Sequence, residues 1–176
     1  MKYSLVLAFL FIGAVICAYD YSHHQDGHEL TVALRDETEK AWVIFVESNG
    51  EGDDADKLRA QNKQVKSAVK NSLYNEDIFY TELDLTTEDD QKKYKEFTDL
   101  AKLDLELLKE GPTVVLVYDK KGYWIHGAGI PQETVDTVHS FIIQKQESDN
   151  RNQPISIGGP VKHPSSYQSF GGGYSR

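Results

Sequence analysis

Two apolar runs joined by a short polar break constrain this chain more than any other feature. Gly111-Pro112-Thr113 leads into Val114, Val115, Leu116 and Val117, and after Asp119-Lys120-Lys121-Gly122 come Tyr123, Trp124 and Ile125. A continuous β-branched and aliphatic run of this length reads as a strand covered on both faces. The polar break, with glycine at its end, reads as a turn that brings the second run back antiparallel. Pro112 at the start of the strand costs no ladder hydrogen bond, and a cis bond there would suit a tight turn.

The remaining elements fall around this hairpin. Residues 28–34 alternate enough for a first strand, and 36–40 read as a polar turn or short helix. Trp42, Val43, Ile44, Phe45 and Val46 form a second buried strand, and residues 78–84 a third. Between them Leu58, Val65, Ala68, Val69 and Leu73 share one face of a helix over 55–73, which Asp53 or Asp54 can cap. Thr86 and Thr87, followed by Glu88, Asp89 and Asp90, start another helix that carries Tyr94, Phe97, Ala101, Leu105 and Leu108. The alternation of Leu103, Leu105 and Leu107 predicts a break in it. Pro131 opens a last helix with Val135, Val138, Phe141 and Ile142 facing the core.

The ends differ from the body. Lys2 followed by an apolar run over 4–18, closing on small residues, reads as a signal peptide (1–18), with an uncleaved anchor as the rival reading. Cleavage would remove Cys17, the one cysteine, and with it every thiolate ligand, nucleophile or disulfide. Residues 19–27 read as a solvated linker, since His23, His24 and His28 beside Asp20, Asp26 and Glu29 match no closed metal site. Residues 148–176, rich in Gly and Pro, are expected to be disordered, with Tyr167, Phe170 and Tyr174 as aromatic anchor points. A formal charge of -9 disfavours nucleic acid as a partner. The loop at Glu47, Asn49, Glu51 and Gly52 mimics part of a calcium loop, but Leu58 stands where a bidentate Glu is needed. No cofactor or metal is expected.

Strand, loop, helix, strand, helix, Gly-Pro-Thr, strand, hairpin and helix over 28–147 resembles the thioredoxin fold, in particular protein disulfide isomerase-like modules. The resemblance implies a mixed sheet of four to five strands flanked by helices, with Pro112 cis. It also shows what is missing: Gly50-Glu51-Gly52-Asp53 stands where the family carries Cys-x-x-Cys. The family's buried acid would fall near the apolar Ile44. Without a thiolate there is no disulfide exchange, so the implied protein is no enzyme but a redox-inactive, protein-binding module of the secretory pathway. It would be secreted or held in the endoplasmic reticulum lumen. The alternative is a structural or accessory subunit of a larger assembly.

Two surfaces are candidates for a polypeptide partner. The first is the groove implied by the resemblance, rimmed by Asn49, Gly50, Glu51, Gly111, Pro112, Thr113 and Gly127. The second is a basic stripe on the 55–73 helix, Arg59, Lys63, Lys66 and Lys70, which either meets an acidic partner or is simply solvated. Asp119, His126 and Ser140 suggest no nucleophile–base pair.

Overall fold

The structure, a computed structural model, describes residues 19–50, 52, 55–127, 129–143 and 154–160. The signal segment 1–18, Glu51, Asp53 and the tail aromatics lie outside the described residues. Along the chain run β1 (Asp20–Tyr21), α1 (Gly27–Asp36), β2 (Ala41–Glu47), α2 (Ala55–Ser72) and β3 (Ile78–Asp84). Then come α3 (Glu88–Lys93), α4 (Lys95–Ala101), a 3-10 turn (Leu107–Lys109), β4 (Thr113–Tyr118), β5 (Lys121–His126), α5 (Ile130–Ile143) and β6 (Ser156–Pro160). The strands form one six-stranded mixed sheet in the order β1-β3-β2-β4-β5-β6.

β2 is the axis of the sheet, and all seven of its residues are buried. It pairs parallel with β3 (Trp42 opposite Phe79) and antiparallel with β4 (Trp42 opposite Val117). Alternation then sorts its side chains. Trp42, Ile44 and Val46 pack with Leu30, Leu34, Tyr94 and Phe97 of α1 and the α3–α4 segment on one face. Val43 and Phe45 pack with Val65, Val69 and Val138 of α2 and α5 on the other. The sheet is therefore covered on both faces, as the continuous apolar runs require. Among the described residues no helix is long and apolar enough to cross a membrane.

Several expectations are corrected. Residues 28–34 are helix rather than strand: Asp26 caps α1 by accepting a hydrogen bond from the Glu29 N–H at 2.9 Å, and Leu30 and Leu34, one turn apart, are buried together. The first strand lies earlier, in the segment read as a linker. Asp20 and Tyr21 pair parallel with Phe79 and Tyr80, Ser22 N–H donates to the Tyr80 carbonyl, and the Tyr94 hydroxyl donates to the buried His24 carbonyl at 2.9 Å. Within the expected disordered tail, residues 156–160 form β6, parallel to β5, with Ile157 buried against the α1–α4 side. The sheet thus has six strands rather than four to five. Pro112 is trans, since no cis peptide occurs among the described residues. Its carbonyl accepts from Gly127 N–H at 3.3 Å, which closes the end of the hairpin without a cis bend.

The break expected from the alternation of Leu103, Leu105 and Leu107 is present, since α4 ends at Ala101 with Lys102 in the left-handed region at φ 51 as its cap; a further interruption at Tyr94 separates α3 from α4. The hairpin turn is tighter than expected. Asp119 and Lys120 alone form it, with φ of 47 and 64, the two-residue geometry that matches strand twist. Gly122 belongs to β5, not to the turn, and a Cβ on it would come within 2.2 Å of the Leu116 carbonyl oxygen.

Candidate functional site

Neighbouring parallel strands β2 and β3 send the chain to opposite faces of the sheet, β2 into α2 and β3 into α3. Diverging connections leave a crevice beyond the carboxyl ends of the two strands. Its base is pinned by hydrogen bonds. Asn49 N–H donates to Thr86 Oγ1 at 2.7 Å, and the Asn49 side-chain amide donates to Asp84 Oδ2 at 2.9 Å. Leu85 N–H donates to the Glu47 carbonyl at 2.8 Å, and buried Asn62 donates to the Ser48 carbonyl at 2.9 Å. Above them opens a cleft of about 780 Å³. Its apolar lining is Leu58, Leu85, Leu105 and Leu108; its polar lining includes Ser48, Thr86, Gln91, Glu88, Glu106 and Lys109. Glu106 holds Lys109 at 2.5 Å, so the ionised rim is acidic on balance.

The cleft differs from the expected groove. Gly50 lines it, at φ 62 with Leu58 packed close. Asn49 faces the α2 side, and Glu51 lies outside the described residues. Gly111, Pro112 and Thr113 are buried, so they support the site from behind and do not present a binding wall. Gln61 reaches the Glu110 carbonyl at 3.5 Å over Gly111, and Thr113 Oγ1 shares a hydrogen bond with His126 Nδ1 at 3.0 Å. Burial pulls His126 below the ordinary imidazole pKa. Gly127, at φ 101, closes onto Pro112. The wall facing α2 is instead supplied by residues 105–109, which periodicity assigned to a helix.

The basic stripe is not one uniform surface. Lys66 turns inward to Glu47 and Glu82, the latter at 3.2 Å, and Lys70 reaches Glu82 at 3.0 Å. Lys70 also lies over the rings of Tyr80 and Tyr21, and Lys66 over Phe45. Burial, helped by the nearby charges of Asp84 and Glu82, raises the Glu47 carboxyl above its ordinary range against the opposing pull of Lys66. Burial likewise opposes the charges of Lys66 and Glu82, but in both cases the partners outweigh it. Lys66 is raised and Glu82 lowered, so both stay ionised. Arg59 and Lys63 remain exposed; Arg59 pairs with Asp56 at 2.8 Å, and Lys63 has no ion-pair partner among the described residues.

Sequence reasoning placed Glu47 in the loop, as the first position of a partial calcium loop, and took the family's buried acid to be missing at Ile44; Glu47 is instead the buried last residue of β2. The signal was available: after Val43 and Phe45, position 47 continues the face turned towards α2. The remaining polar candidates are dispersed. His24 bonds Ser22 Oγ at 2.9 Å beside Trp42, His28 meets Glu96 at 3.1 Å, and Ser140 donates to the Asp136 carbonyl of its own helix. No protein-family model matches the chain, and no curated protein matches it.

Proposed function

We propose that this chain is a redox-inactive, thioredoxin-like module of the secretory pathway that binds extended polypeptide in the cleft beyond β2 and β3. The fold reading is supported by the strand–helix alternation, the Gly-Pro-Thr lead into β4 and the β4–β5 hairpin; the trans bond at Pro112 counts against it. The functional reading rests on one observation: an open cleft of about 780 Å³ with four leucines in its lining and polar groups around them. Such a surface offers apolar anchorage and hydrogen bonds to a chain without demanding one sequence. Thiol chemistry is left out because the sequence has no cysteine beyond Cys17.

The test uses a permanently unfolded, alkylated protein as the client and fluorescence anisotropy as the readout. Leu105→Asp, at a half-buried position in the cleft, should abolish binding while shifting the melting temperature by only a few degrees. Binding equal to that of the unmodified protein would overturn the proposal.

A further inference from the structure

We propose that a second groove, between α2 and the β1–β3 side of the sheet, binds an acidic, extended segment of a partner protein. It is separate from the cleft, encloses about 660 Å³ and is lined by two adjacent rows of α2. The outer row is Arg59, Lys63, Ser67 and Asn71, all exposed, and the inner row includes Lys66 and Lys70. Glu47 and Glu82 hold the inner ammonium groups in fixed positions. Counting Asp56, which pairs with Arg59, four cations therefore stand beside three carboxylates, in a chain whose formal charge is -9. The local excess is positive by one and faces outward through Lys63, with Arg59 beside it held by the solvent-exposed Asp56.

Spacing decides between a segment of chain and a small anion. Successive residues of the outer row are four apart, a rise of about 6 Å. Alternate side chains of an extended strand are about 6.6 Å apart on one face. An acidic segment with carboxylates at every second position would therefore stay in step with Arg59 and Lys63, and its backbone amides would meet Ser67 and Asn71. From Arg59 to Asn71 the row spans about 18 Å, enough for roughly five or six extended residues. Tyr19 and Tyr74 add aromatic surface to the lining.

The experiment compares two fluorescent peptides of the same composition, one with aspartate at alternate positions and one with its aspartates in a block. The alternating peptide should bind the purified protein at least about fivefold more tightly, and binding should weaken as salt is raised. The Arg59→Glu, Lys63→Glu double variant should weaken it about tenfold or more, while Arg59→Lys retains it. Both positions are exposed and Arg59 has only a surface ion pair, so the fold tolerates the change. Leu105→Asp should leave this affinity unchanged, which separates it from the cleft. Equal affinity for the two peptides, no binding, or an unaltered affinity in the double variant would overturn the proposal. So would tighter binding of a heparin oligosaccharide lost in the same variant, which would assign the groove to a sulfated glycan.

Discussion

Replacing Lys66 with Met tests the charge cluster beneath α2. Methionine keeps most of the hydrocarbon stem, so packing against Phe45 is largely preserved, and the charge is what is lost. Glu47, whose side chain is only 10 % exposed, then keeps its desolvation cost without its counter-ion, while Glu82 retains Lys70. Removing one partner of a fully buried pair costs about 3–5 kcal/mol. With Lys66 24 % exposed and Glu82 still paired, about 2 kcal/mol is expected at pH 8. That corresponds to a fall of roughly 4–8 °C in melting temperature. The loss should depend on pH. Glu47 is already raised above 4.5 in the folded protein, and without Lys66 it rises further. The folded state then holds a proton more tightly than the unfolded state, so stability falls as pH rises from 4.5 through the raised value. The deficit relative to the unmodified protein should therefore be smaller at pH 5 than at pH 8. Adding Glu47→Gln should recover most of it at pH 8. Urea unfolding at the two pH values measures both quantities. A deficit below about 0.5 kcal/mol at pH 8, or one of equal size at both, would refute the account.

Three further outcomes follow from packing. Gly122→Ala should destabilise the protein by about 2–3 kcal/mol in urea unfolding, because its Cβ would collide with the Leu116 carbonyl at 2.2 Å. Tyr94→Phe should cost about 1 kcal/mol by the same measurement, since it deprives the buried His24 carbonyl of its donor. Ile157→Ala should cost about 2 kcal/mol and deprotect β5 amides in hydrogen exchange, whereas the same change in a disordered tail would alter neither.

The central strands were legible because burial on both faces forces unbroken apolar runs. Val114, Val115, Leu116 and Val117 have no polar face to hide, and α2 repeats Leu58, Val65 and Val69 at helical spacing. α1 was misread because Leu30, Val32 and Leu34 satisfy a period of two as well as a one-turn repeat. Asp26 and Glu29 carried the deciding signal as a cap, with Glu29 Oε2 accepting the Gln25 N–H at 2.6 Å. β1 has two residues and β6 five, too few to display a period; they form because β3 and β5 offer open edges. At the sites, periodicity located the end of β2, but it could not show that Lys66 and Lys70 turn inward. That depends on Glu47 and Glu82 lying diagonally across neighbouring strands, two registers apart, where both reach Lys66. Nor could it show that Gly111, Pro112 and Thr113 are covered, since their cover comes from Gln61, fifty residues earlier in the chain, and from His126.

The two outermost strands bear on how this protein behaves when crowded. A sheet edge is a template for another chain in proportion to the length of regular, unpaired backbone it presents. β1 presents two residues, beside an ion pair between Asp20 and Lys40 at 2.9 Å. β6 ends in Gly158, Gly159 and Pro160, two residues with weak strand preference and one without an N–H to donate. Over the described residues β6 offers no long ladder to a second copy, whereas β1 covers only Phe79 and Tyr80 of β3, so edge-to-edge stacking is discouraged chiefly at the β6 end of the sheet.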